Sequence, residues 1–312
     1  MHRTGIIGLG IMGRRMLEHM GHHSEFEVSA IWDPDPIACQ AADKIAPGTV
    51  VATAADVLAA ADVVYLACPP IPRRGYALKA ADEGKAVFLE KPLGIDIAQS
   101  RDLVQRLTAS GVPTAVNFTQ AAGEALKTVK GDDIGLHKGI DIVVNYSQWP
   151  RDWQVEADWL RFAAEGGYTR EVISHFLFFA ARVLGPLRLV WARSDYTDDL
   201  DLCETHVAAR LENADGVPVH LFGSVGGAQP DRQEVTIKGT ARSWRVSEFY
   251  QLWLSEGGPF LRIDQDPTNP RAVSLRAQLD HLDLCLRGQP HALATLEEAL
   301  AVQELIEAIL AR

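Results

Sequence analysis

Thr4-Gly5-Ile6-Ile7-Gly8-Leu9-Gly10-Ile11-Met12-Gly13 joins a short apolar strand, Thr4 to Ile7, to a three-glycine turn, and Met16, Leu17 and Met20 then mark the inner face of a helix. Glycine spacing alone is a weak signal. Its setting strengthens it: a strand before, a helix after, and a second strand, Phe26 to Trp32, that ends in Asp33. The glycines permit a tight turn and close backbone approach, while the helix start offers N–H groups and its dipole to a pyrophosphate. Gly8, Gly10, Ile11, Met12 and Gly13 are therefore the expected cofactor contacts.

Asp33 lies 20 residues beyond Gly13, where a carboxylate takes both hydroxyls of an adenosine ribose; the plainer alternative is an Asp-Pro turn starter. A 2'-phosphate there would meet like charge, with no arginine in Asp33-Pro34-Asp35-Pro36 to neutralise it. At an effective dielectric near 20, unit charges about 4 Å apart repel by roughly 4 kcal/mol, against about 1.4 kcal/mol per tenfold in affinity. NAD is the expected cofactor. Arg14 and Arg15, just past the third glycine, keep NADP as the alternative.

Strand and helix patterns go on alternating. Strands are expected near Thr49 to Ala52, Asp62 to Ala67 and Ala86 to Leu89, with helices near Ala54 to Ala60 and after Pro72, the rhythm of a doubly wound parallel sheet. Cys68, Pro69 and Pro70 give the fourth strand an extended exit, suited to lie beside a nicotinamide and equally readable as punctuation. Glu90-Lys91-Pro92 closes the fifth expected strand. A lysine at the carboxyl end of such a strand points into the crevice that holds cofactor and reactive carbon.

From about His137 the rhythm changes to strands with few helices between them: Lys138 to Ser147, Leu187 to Tyr196, Cys203 to Glu212, Pro218 to Val225, Glu234 to Lys238 and Arg242 to Phe249. Asn213-Ala214-Asp215-Gly216 is a hairpin turn, and the set predicts an open, mostly antiparallel sheet. The expected domains are 1–120 with 271–312, dinucleotide-binding, and 121–270, an α+β substrate and oligomerisation domain. One helix, Thr169 to Leu184, carries Glu171, His175, Phe178 and Arg182 on a single stripe of an otherwise apolar surface. Trp149, Trp153 and Trp159 stand close to Arg151 and Arg161; an indole walls a small polar ligand as readily as it packs in a core. Trp153, Arg161 and Arg170 are the substrate-side candidates, the two arginines as grips for a carboxylate, with solvated charges the alternative.

The balance of 41 acidic against 30 basic residues, a net charge of −11, provides no basic stripe for nucleic acid or anionic lipid. Four scattered cysteines, Cys39, Cys68, Cys203 and Cys285, lack the paired spacing of a disulfide framework or zinc site, and no metal is expected. The chain enters a strand almost at once and contains no apolar run long enough to cross a bilayer, so no membrane partner and a cytoplasmic location are expected.

The glycine turn, Cys68-Pro69-Pro70, Glu90-Lys91-Pro92, the run Gly166 to His175 and Thr295-Leu296-Glu297-Glu298-Ala299-Leu300 together resemble the glucose-fructose oxidoreductase and inositol dehydrogenase family, Gfo/Idh/MocA. The resemblance spans nearly the whole chain. It implies a Rossmann domain followed by an α+β domain whose open sheet forms a homo-oligomer, dimer or tetramer. It also implies Lys91 and His175 as the proton-handling pair, with Glu171 orienting the imidazole where the family commonly has aspartate. Arg73 stands where the family often has histidine, and Gln120-Ala121-Ala122 replaces a frequent Arg-Phe pair.

The expected reaction is hydride transfer between nicotinamide C4 and a small alcohol or carbonyl substrate: a sugar, a polyol, or a related aldehyde or keto acid. Glu90 and Lys91 are counted among the cofactor contacts as well. A different class of reading, a non-catalytic NAD-binding sensor or assembly subunit, draws on the departures at Glu171, Arg73 and Gln120.

Overall fold

The computed structural model describes residues 1–263 and 269–311. These form two compact units, Met1–Phe118 with Leu275–Leu300, and Thr119–Ser274 with Ala301–Arg312.

The first unit holds β1 (His2–Ile7), α1 (Ile11–Gly21), β2 (Phe26–Trp32), α2 (Pro36–Asp43), α3 (Ala54–Ala60), β3 (Val63–Leu66), α4 (Pro70–Asp82), β4 (Ala86–Glu90), α5 (Ile97–Ser110) and β5 (Thr114–Asn117). The five strands are parallel in the order β2-β1-β3-β4-β5. Every residue of β3 and β4 is buried, as a parallel sheet covered on both faces requires. Helix starts follow local chemistry. The Asp35 carboxylate caps α2 with Pro36 at its first position, a Thr53/Asp56 capping box opens α3, and Asp96 caps α5.

One expected strand is missing. Near Thr49 to Ala52 only Val50 makes a bridge, to Ile31 at the sheet edge, after a turn at Gly48. Glu90-Lys91-Pro92 therefore follows the fourth strand in chain order, not the fifth.

The second unit begins with α6 (Glu124–Gly131) and β6 (His137–Tyr146), and then α7 (Ser174–Leu184) precedes β7 (Arg188–Asp195), β8 (His206–Glu212), β9 (Pro218–Val225), β10 (Arg232–Gly239), β11 (Ser243–Ser247), β12 (Gln251–Ser255) and β13 (Leu261–Arg262). The eight strands run in the order β13-β12-β11-β10-β6-β9-β8-β7, antiparallel except for β6 with β9. The remaining helices, α8 (Pro270–Leu286) and α9 (Leu296–Leu310), each pass from one unit to the other.

Alternation along β6 buries Ile140, Ile142, Val144 and Tyr146, and Leu221, Val235 and Val246 continue the same core across neighbouring strands. Gly223 lets the Tyr168 ring and Ile173 lie directly on β9. Phe176, Phe178 and Phe179 of α7 are fully buried, each contributing on the order of 1.5–3 kcal/mol of apolar transfer.

Three expectations change here. The strand expected from Cys203 starts at His206, because Cys203 N donates to Arg161 O at 2.9 Å and Leu202 bridges Phe162. The six expected strands are eight; β12 is reached through Ser247–Tyr250, a turn without glycine or asparagine. The expected helix opens with a π turn, Thr169–Ile173, before α7, which breaks the 3.6-residue spacing of the stripe: His175 is buried and Glu171 only half-buried.

Candidate functional site

In the first unit the glycine turn is built by exclusion. Gly8 has φ +98°, and a Cβ there would run into the backbone at Ala67 and Cys68, while a Cβ on Gly13 would run into the carbonyl oxygen of Gly8. A Cβ on Gly10 meets nothing within 4 Å. Gly10 is also the N-cap of α1 and offers no side chain to its first N–H groups. The turn is thus a cradle open at Gly10, with uncapped donors facing outward, and a dinucleotide pyrophosphate fits it.

The Asp33 carboxylate ties this turn to the end of β2. Oδ2 accepts from Leu9 N at 2.7 Å and Oδ1 from Asp35 N at 2.8 Å. Each oxygen keeps a second lone pair for a hydroxyl. Asp33 thus makes the turn, and its carboxylate remains an acceptor-only group beside the cradle. Arg14 folds back, donating from Nη1 to Leu9 O at 2.8 Å, and Arg15 Nη1 lies 3.7 Å from Met12 Sδ.

The residue that organises the next two loops was not among the sequence candidates. Arg73 is buried, and it donates from Nε and Nη2 to Cys68 O at 3.1 and 2.6 Å, and from Nη1 to Glu90 O at 2.6 Å and to Pro92 O. One guanidinium thereby fixes both Cys68-Pro69-Pro70 and Glu90-Lys91-Pro92 through their backbone carbonyls. Burial pushes the Cys68 thiol up.

Glu90, counted among the cofactor contacts, turns its carboxylate into the sheet. Oε1 accepts from the Tyr65 hydroxyl and from Asn117 Nδ2, the latter at 2.7 Å. The carboxylate braces strand ends, which corrects the expected side-chain contact. Burial pushes its pKa up against the opposing pull of Lys91, Tyr65 and Arg73, and burial together with the Glu90 charge drives the Tyr65 hydroxyl well up. Lys91 itself is buried, with its side chain at the carboxyl end of β4.

In the second unit His175 is buried on the first turn of α7, its ring edge-on to Phe249 at 5.6 Å. Phe249 also stacks on Phe176 at 5.1 Å, and its carbonyl accepts from Gln120 Nε2 at 3.5 Å. Glu248 and Phe249 carry φ of 50° and 64°, a left-handed pair of non-glycine residues held against the histidine. Sequence offered no signal for Phe249, because nothing in its neighbours marks the turn.

The substrate-side arginines are reassigned. Arg170 forms a two-pronged ion pair with Glu307, Nε to Oε1 and Nη2 to Oε2 both at 2.7 Å, and Nη1 donates to Ala163 O and Gly166 O. Those donors brace α9 and the loop before the π turn, so Arg170 is not a free carboxylate grip. Arg161 is 51% exposed and paired with Asp158 at 2.9 Å. Trp153, 41% exposed, carries the Arg151 guanidinium at 4.7 Å from its ring centre; Trp149 donates from Nε1 to Leu160 O and stacks on Tyr146.

Among the described residues no group of three or more His, Cys, Asp or Glu side chains is placed to hold a metal ion, and no helix is long and apolar enough to cross a membrane.

A dinucleotide cradle, an acceptor at the end of β2 and a lysine at the end of β4 define the first unit as a Rossmann nucleotide-binding unit. Residues 2–118 match the Gfo/Idh/MocA family model described as "Oxidoreductase family, NAD-binding Rossmann fold". An uncharacterized oxidoreductase of Streptococcus pneumoniae serotype 4 is 29% identical over 115 residues, 36% of this chain and 30% of that protein. The 2,7-anhydro-N-acetylneuraminate hydratase of Escherichia coli K12 is 26% identical over 149 residues, 43% of this chain and 37% of the hydratase. The matched stretch thus spans about a third of the length of these curated relatives. Over the whole fold, an oxidoreductase from Agrobacterium radiobacter, solved with NAD+, L-tartaric acid and magnesium, superimposes with a TM-score of 0.85 at 18% identity, covering 98% of this chain and 94% of its own.

Proposed function

We propose that the protein is an NAD-dependent dehydrogenase acting on the CH–OH or C=O group of a small polar substrate, a sugar, a polyol or a related aldehyde or keto acid. The observation that carries this reading is Lys91, buried at the carboxyl end of β4 and held by backbone bonds on both sides, in a unit whose glycine cradle fits a pyrophosphate. Asp33 favours NAD over NADP, since its acceptor-only carboxylate welcomes ribose hydroxyls and repels a 2'-phosphate.

When bound, the nicotinamide accepts or delivers hydride. The chain moves the proton. In alcohol oxidation His175 or Lys91 takes the hydroxyl proton as the C=O bond forms, and in carbonyl reduction the same group returns it. Glu171, one turn before His175, orients the imidazole. The homo-oligomer reading draws support from the sheet face away from α7, where Trp191 and Phe222 lie exposed. A reducing, cytoplasmic setting accords with four free cysteines.

The test is a screen of sugars, polyols, hydroxy acids and their carbonyl counterparts for a change in reduced-nicotinamide absorbance. Lys91→Ala and His175→Ala should each lower turnover at least about a hundredfold with NADH affinity preserved. Wild-type turnover in the double variant removes both from the chemistry, and NAD binding without any turnover returns the protein to the sensor class.

A further inference from the structure

Arg151, in the second unit, is surrounded by aromatic rings. Its guanidinium lies 4.7 Å from the ring centre of Tyr146, 4.7 Å from that of Trp153 and 5.8 Å from that of Trp149. Nε donates to Gln154 Oε1 at 3.0 Å and Nη1 reaches Gln233 Oε1 at 3.5 Å. Neutral amides are its polar neighbours; among the described residues no carboxylate lies within ion-pair distance of it, whereas Arg161, Arg170, Arg188, Arg193, Arg232 and Arg242 each have one. Arg271 approaches the same Trp153 ring at 5.4 Å, likewise without a carboxylate among the described residues. Two guanidinium groups thus share one half-exposed indole, with donors to spare.

The position of this site follows from a chain of contacts within the unit. Gln233 also donates from Nε2 to Glu248 Oε2 at 2.9 Å, so that carboxylate is engaged by the amide, while the charges of Asp231 and Glu171 act on the same Tyr146 hydroxyl. Glu248 is followed by Phe249, whose ring touches His175. This arginine site and His175 are therefore braced by the same β11–β12 turn.

We infer that Arg151, seated on Tyr146 and Trp153 and seconded by Arg271, binds an anionic group of the substrate, a carboxylate or a phosphate, and selects acidic over neutral substrates. This rests on the dehydrogenase reading for its meaning but not for its measurement. A guanidinium held against aromatic rings loses little freedom on binding, and its planar donor edge matches both oxyanions.

The experiment is calorimetric titration of the full chain with D-glucuronate, D-glucose 6-phosphate and D-glucose, with no turnover required. At least one anionic sugar should bind at least tenfold more tightly than glucose, and the tighter of the two identifies carboxylate or phosphate as the preferred group. Arg151→Gln should bring the three to parity, Arg271→Gln should narrow the gap, and Arg151→Lys, which keeps charge but loses the planar fork, should retain part of it. Thermal melts confirm that each variant is folded. Equal binding of the three sugars by the unaltered protein, absence of binding by all three, or an undiminished preference in Arg151→Gln overturns the assignment. Anion preference without nicotinamide reduction leaves this site standing and defeats the dehydrogenase reading alone.

Discussion

Arg73 donates from Nη1 to the carbonyl oxygen of Glu90 at 2.6 Å, and the same nitrogen reaches the carbonyl of Pro92, so one buried guanidinium grips the chain on both sides of Lys91. Arg73→Met leaves three buried carbonyls short of a donor, each costing about 1–3 kcal/mol. We expect a loss of about 3 kcal/mol or more in urea unfolding. Arg73→Lys, which restores a charge but not the fork, should recover only part of it. Unfolding curves that coincide with wild type would show the clamp to be dispensable.

Gly10 and Gly13 make opposite demands. Gly13→Ala places a methyl against the Gly8 carbonyl and should lower the melting temperature, whereas Gly10→Ala meets no protein atom within 4 Å. Gly10→Ala should therefore melt close to wild type and lose NADH affinity, by about tenfold or roughly 1.4 kcal/mol, because its methyl occupies the approach to the cradle. Fluorescence titration with NADH beside a melt separates the two effects; unaltered affinity in Gly10→Ala removes the cradle from cofactor binding.

Glu204 is buried with Oε1 accepting from Thr169 N at 2.7 Å, and burial pushes its carboxyl above the usual range. The folded state then keeps a proton that the unfolded chain releases near pH 4.3, so the stabilisation is complete below about pH 4.3 and is lost as pH rises through the folded value. Glu204→Gln should lose less stability than wild type between about pH 4.3 and neutrality. A urea series at stepped pH reads this difference, and parallel curves for the two proteins contradict it.

Phe249 sits at φ 64° with its ring on His175 and Phe176. Removing the ring costs packing in any variant, but alanine keeps the left-handed strain, about 1–2 kcal/mol, while glycine relieves it. Phe249→Gly should consequently be more stable than Phe249→Ala by about 1 kcal/mol, the reverse of the order in an ordinary strand. The difference is measured by chemical unfolding, and alanine proving the more stable refutes a strained turn.

The parts of the site that were legible in the sequence are those whose chemistry is local. The glycine turn, Asp33, Lys91 at a strand end and the Asn213–Gly216 hairpin depend on neighbours within a few residues, and each has the backbone form expected of it. Parallel and antiparallel halves were equally visible, because periodicity and connection length record them directly. The β11–β12 turn was not, since Glu248 and Phe249 have none of the residue types that announce a positive φ.

Sequence by itself determined the fold class, the cradle, and the placement of a lysine and a histidine on buried elements. Tertiary structure alone decided the partners of the arginines: Arg73 on three carbonyls, Arg170 on Glu307, Arg151 on a cluster of rings. A long charged side chain can reach residues 17 or 137 positions away, and whichever acceptor or ring the packed chain brings within about 3–5 Å fixes what that charge does.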